Sequence, residues 1–217
     1  MKIILICVLV LASAELTGAD MFDALMHKVP KGWTSYSTIR TEGLDLERGE
    51  YVSLVENKQV FKYTAMSNTF LTWFDQHFDF TSGKFYQVDA AGCHVYDFPP
   101  LNITEVTRDM FHNDFYYVGE RGPDIHLAYM DLKINNQSAF FYYDAKRHRI
   151  DKVQSWDLSK NVPIESEFHT PHAPIRKEDH KQFDLPAECF NVEPTLRFEL
   201  PTYPALMFGF NPENVGL

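Results

Sequence analysis

The chain is short of cysteine, of positive charge and of catalytic signatures, and each shortage closes off a class of function. Basic residues number 20 against 30 acidic ones, a formal net charge of −10. The densest basic run is Lys146-Arg147-His148-Arg149. A chain of this balance repels phosphate backbones, which argues against nucleic-acid binding. There is no G-x-S-x-G elbow, no H-E-x-x-H, no phosphate-binding loop and no G-x-G-x-x-G. Thr81-Ser82-Gly83-Lys84 lacks the upstream glycine of a phosphate loop, and Asp45–Glu50 fails the register of a calcium loop. The chain therefore reads as a non-enzyme that requires no cofactor. Internal repeats and low-complexity stretches are also absent.

Long hydrophobic runs are missing too, apart from the start. MKIILICVLVLASA places one lysine before an apolar run too short to span a bilayer, then Ala12-Ser13-Ala14 in small-x-small order. Residues 1–19 are expected to be a signal peptide cut after Ala14 or Ala19. The C-terminus lacks the hydrophobic tail of a lipid-anchor signal. A soluble, secreted or extracellular protein without a transmembrane segment is the expectation.

Of three cysteines, Cys7 falls in that segment, leaving Cys93 and Cys189. In an oxidising compartment two cysteines of one domain most often pair, although a free or intermolecular thiol stays open. Closing a loop of roughly a hundred residues would remove roughly 4 to 5 kcal/mol of denatured-state freedom. Asn102 in NIT and Asn136 in NQS fit the glycan acceptor pattern of a secreted chain.

What remains is rich in short alternating runs separated by turn residues. EYVSLVEN stops at Asn57, QVFKYTAM at Ser67-Asn68, FLTWFDQHFDF at Thr81-Ser82-Gly83 and KFYQVD at Ala90-Ala91-Gly92. DIHLAYMDLKI, SAFFYYD and IDKVQSWDL follow. This spacing, enriched in Phe, Tyr, Val and Thr, predicts an antiparallel meander with one wet face. Phe70, Phe74 and Phe78 lie four apart, as on a helix, but Thr72, Trp73 and Phe80 favour a strand. Residues 100–114 predict a helix capped by Asn102 or Thr104. From Asn161 the chain turns rich in proline and charge, predicting an extended wrap over the sheet tied down at Cys189.

Aromatic residues make up 15% of the chain, with 18 Phe, 11 Tyr and 3 Trp. They suit either a bulky core under a curved sheet or the lining of an apolar cavity. His169 and His172 sit three apart, yet Pro171 and Pro174 argue against one helix presenting both to a metal, so they read as solvated loop residues. A metal site is left unassigned; loosely held calcium on surface carboxylates is the one ion considered.

Five stretches carry a family resemblance. FDFTSGKFYQVDAAGC resembles the ependymin-related segment in which a strand ends before a cysteine, and KQFDLPAEC resembles that family's closing segment. YVSLVENKQVFKYTA, DFYYVGERGPDIHLAYMDL and AFFYYDAKRHRIDKV occur between and around them in matching order, so the resemblance spans about residues 33–190. It implies a mainly β, α+β fold of curved antiparallel sheets forming a half-open, LolA-like barrel with one or two short helices. It also implies a pocket for a lipid or fatty acyl chain, a secreted or lysosomal glycoprotein, a possible homodimer, calcium binding and a link to cell–matrix adhesion. By resemblance, Cys93 and Cys189 match a disulfide of the family. The other family cysteines are missing here, and the segment after Cys189 is longer than the resemblance leads one to expect.

The organisation expected is a signal peptide (1–19), a β domain (20–190) and a C-terminal extension (191–217). The function expected is lipid carriage, with Phe61, Phe70, Phe74, Phe78, Met130 and Leu132 as candidate pocket walls chosen by strand alternation. The alternative is an extracellular, calcium-dependent adhesion or interaction protein without a lipid ligand, bound to matrix.

Overall fold

Alternation of inward and outward side chains builds a single sheet along nearly the whole chain. The computed structural model describes residues 20, 23, 26–41, 44–66, 71–113, 115–122, 124–131, 138–144, 146–147, 149–157, 162–194 and 196–197. The signal segment, Phe70, Leu132, Asn136 and the extension beyond 197 lie outside the described residues.

The described strands are β1 (Gly32–Thr41), β2 (Leu44–Ser53), β3 (Lys58–Met66), β4 (Leu71–Asp79), β5 (Lys84–Asp89) and β6 (Gly92–Asp97). After the helix Ile103–Asn113 come β7 (Phe115–Glu120), β8 (Ile125–Asp131), β9 (Ser138–Asp144), β10 (Arg149–Asp157), β11 (Val162–Pro174) and the two-residue β12 (Leu196–Arg197). Their order in the sheet is β12-β6-β5-β4-β3-β2-β1-β11-β10-β9-β8-β7. Neighbours are antiparallel except β12 beside β6. Two meanders, β1 to β6 and β7 to β11, thus meet at a β1–β11 seam in mid-sheet.

The sheet is curved and open. Laid flat, 12 strands would span about 55 Å, whereas an 11-residue helix is about 16 Å long. Yet Ile103, Met110 and Phe111 of that helix join one buried cluster with residues of every strand from β1 to β11 except β7, β6 contributing the half-buried Tyr96. Only a sheet wrapped around its own inner face brings these together. Among the described residues the edges β12 and β7 are not paired with one another, so the barrel is half-open. This is the fold class read from the sequence.

The two ends of the barrel differ. At one end the turns are sewn together through Asn57, in the left-handed region at φ 55. Its Nδ2 donates to the Leu101 carbonyl (2.7 Å) and to Thr81 Oγ1 (3.2 Å), and its Oδ1 accepts from the Ile103 amide (2.8 Å). Gly83, φ 66, closes the neighbouring turn; a Cβ there would sit 2.2 Å from the Phe98 carbonyl oxygen. The helix starts at this end, where Asn102 Oδ1 accepts from the Thr104 and Glu105 amides as a cap. It finishes beside the start of β7, at the opposite end.

One segment departs from the expected wrap. Residues 162–174 form the central strand β11, and the wrap begins only afterwards. Two bulges against β1, around Tyr36–Thr170, absorb the irregular proline-rich stretch. Pairing with β10 covers Val162 to Glu167, so Pro171 and Pro174 fall beyond the paired stretch.

Candidate functional site

The inner face is built of side-chain rows that follow the register across the sheet. Nearest the Asn57 end, one row runs Tyr96, Phe85, Phe78, Gln59, Val52 and Trp33. The next runs His94, Gln87, Gln76, Phe61, Glu50 and Ser35, and a third runs Asp89, Phe74, Tyr63, Arg48, Ser37 and Phe168. Towards the other end a fourth row holds Ala65, Leu46, Ile39, Ser166, Val153, Phe141 and Ala128. A fifth holds Ile164, Ser155, Ala139 and Met130.

Of the predicted wall residues, Phe61, Phe74, Phe78 and Met130 all lie buried on this face in the common cluster. Phe78 stacks on Phe85 at 4.5 Å and meets Phe61 edge-on at 6.2 Å; Phe74 stacks on Tyr63 at 4.5 Å. These three rings occupy the first three rows, Phe78 meeting Phe61 directly and Phe74 reaching Phe61 through Tyr63, whereas Met130 sits in the fifth row.

Sequence reasoning missed a belt of polar groups under those rings. Glu50 accepts from Ser35 Oγ (2.8 Å) and from Gln59 Nε2 (2.9 Å). Arg48, 1% exposed, donates from Nε to Ser37 Oγ at 3.3 Å. Its guanidinium lies 5.5 Å from the Phe61 ring centre and 6.0 Å from that of Phe168, the cation–π geometry that compensates a desolvated arginine. Burial pushes the Tyr63 hydroxyl up to about 12, partly offset by Arg48. Trp33 Nε1 and Gln59 Oε1 find no hydrogen-bond partner among the described residues.

The two histidines taken for loop residues lie on β11 and part ways. His169 is exposed, with Nε2 2.6 Å from Thr38 Oγ1. His172 is buried between Trp33 (5.8 Å) and Phe168 (5.6 Å), and burial holds its pKa below the usual imidazole range. No group of three or more His, Cys, Asp or Glu side chains suited to a metal occurs among the described residues. No helix among them is long and apolar enough to cross a membrane.

On the outer face, the 3-10 turns Lys177–Phe183 and Ala187–Cys189 form a strap over β2, β3 and β6. Cys93 and Cys189 are disulfide-bonded, with Cα atoms 5.4 Å apart, so the strap is fastened to β6. Under it a cavity of about 30 Å³ is lined by Lys58, Val60, His77, Asp79, Tyr86, Phe183 and Leu185 among others. His77 is buried there with neither ring nitrogen hydrogen-bonded among the described residues. Desolvation pushes its pKa down to about 4 against the opposing pull of Asp75.

No protein-family model matches this chain, and no curated protein does. Among solved structures it is similar to an uncharacterised conserved protein from Thermus thermophilus. The TM-score is 0.54 at 10% identity, over 82% of this chain and 98% of that one. MucB in the Pseudomonas aeruginosa MucA/MucB complex superposes with a TM-score of 0.43 at 9% identity, over 81% of this chain and 63% of that one. The first likeness is one of fold alone, and the second superposition is too loose to support an inference.

Proposed function

We propose that this chain is a secreted glycoprotein of ependymin-related type that carries a lipid or fatty acyl chain on the concave face of its sheet. The observation that carries the reading is the change of side-chain size along that face. Bulky rings fill the rows at the Asn57 end, where Phe80 and Phe98 add to Phe61, Phe78 and Phe85. At the far end Ala65, Ala128, Ala139, Ser155 and Ser166 recur between larger neighbours, beneath the end of the helix that carries Met110 and Phe111. These small residues are buried against that one short helix, a cover whose displacement would open room for a hydrocarbon tail between it and the curved sheet. Each methylene moved there from water contributes about 0.8 kcal/mol, so a dozen support micromolar binding after the cost of association.

Delipidated protein should take up a fluorescent fatty acid with micromolar affinity, and Ala139→Met, which adds bulk to this small-residue surface, should weaken uptake at least tenfold while thermal unfolding stays cooperative. No uptake by the unaltered protein would sink the reading. Asn102 is exposed at the helix cap, where an attached sugar meets solvent, and Asn102→Gln should abolish one glycosidase-sensitive mass step in secreted material.

An adhesive role would instead use the outer face of β7 to β9. There Tyr116, Tyr129 and Phe140 form a ladder with ring centres 6.4 and 5.4 Å apart, and Tyr116 and Phe140 are exposed. Matrix binding lost in Tyr116→Ser while fatty-acid uptake never occurs would favour that second reading.

A further inference from the structure

The strap over the outer face has features that lipid carriage does not use. It covers the row Val60, His77, Tyr86 and Val95, in which Val60 and Val95 are buried although they face away from the core. Phe183 and Leu185 supply the covering apolar surface, and the cavity between them shows that the fit is loose. His77 has neither nitrogen hydrogen-bonded among the described residues. A neutral imidazole tolerates such a place; an imidazolium does not, because its charge loses hydration without gaining a partner.

We propose that the strap is an acid-released latch: protonation of His77 opens residues 177–189 from the outer face and exposes the apolar row, while the Cys93–Cys189 bond keeps the strap tethered for reclosure. The groups around His77 do not cancel the effect. Asp75 from its own strand favours the charged ring, but Lys62 and Lys58 on β3 oppose it. Asp79 and Tyr86 line the cavity without hydrogen-bonding the ring, and the strap presents only Phe183 and Leu185 to it. Farther along the strap, His180 pairs with Glu56 (2.5 Å), and Asp179 caps the first turn through the Arg176 amide (2.8 Å).

A ring that titrates near 4 when covered and near 6.5 when open shifts the open-to-closed ratio about 50-fold between pH 7 and pH 4.5. Backbone amide exchange of the full chain, corrected for intrinsic rates, measures this at Asp184, Cys189 and Phe190, whose amides are hydrogen-bonded within the strap. Protection at these three is expected to fall about 50-fold on acidification while amides of β3 and β4 hold. His77→Phe, which the cavity has room for, should make strap protection independent of pH, and His77→Gln should do the same if the first variant folds poorly. Glu56→Gln should leave the fall intact. Unchanged protection in the unaltered protein, an equal fall in both His77 variants, or loss of the fall in Glu56→Gln would overturn the proposal.

Discussion

Single side chains at buried positions set much of the stability. Asn57 combines a left-handed backbone with three side-chain hydrogen bonds to two separate segments, so Asn57→Ala should cost about 3 kcal/mol in a urea titration. Asn57→Gly, free of the backbone penalty, should cost about 1 kcal/mol less. In the belt, Glu50→Leu strands the Ser35 hydroxyl and the Gln59 amide in an apolar interior and should cost about 2 to 4 kcal/mol. His77 and His172 both hold depressed pKa values when folded. Their contribution is therefore complete above about pH 6.5 and is lost as pH falls below it, for His77 down to about pH 4 and by up to about 3 kcal/mol. Urea midpoints at pH 7.5 and 4.5 should draw closer together in His77→Phe.

At the level of strands and turns, legibility followed the inward residues. β3, β4, β5, β8 and β9 turn Phe, Tyr, Met or Ala inward and show as alternation in the sequence, and the helix showed through its Asn102 cap. The central trio was not legible as strands over most of its length. β1 turns Ser35 and Ser37 inward, β2 turns Arg48 and Glu50 inward, and β11 carries Ser166, His172 and three prolines. Each reads as solvated or irregular because its core-facing positions are polar. The belt thus concealed both itself and the strands that hold it; inward charge on adjacent strands leaves no hydrophobic period to read. Gly32 shows a different local constraint. Its φ is 137°, and a Cβ would meet the Val52 carbonyl oxygen at 2.0 Å. Gly32→Ala should therefore unpin the start of β1 and lower the thermal midpoint by several degrees, as read by circular dichroism.

For the molecule as a whole, the disulfide constrains the denatured chain more than any local contact does. Cys93 and Cys189 are 96 residues apart, so replacing both with Ser should lower the unfolding free energy by about 4 kcal/mol in the chain-entropy account. The pairing was legible from the cysteine count together with the compartment the sequence leads one to expect, whereas the strap over His77 was not, because nothing in the local sequence says which face of a sheet a later segment will cross. The proposed carriage and the proposed latch use opposite faces of one sheet, so a fatty acid and a proton would act on different surfaces.

The β1–β11 seam has a consequence for how the chain assembles. Thr38 and His169 touch across it although 131 residues separate them, while the other strand neighbours on either side are joined mostly by short turns. Each meander can zip locally, and the barrel closes only when the first strand finds the eleventh. That encounter carries most of the loop-closure entropy. A refolding experiment should therefore find the slow phase sensitive to the seam's bulged residues and nearly indifferent to the hairpin tips.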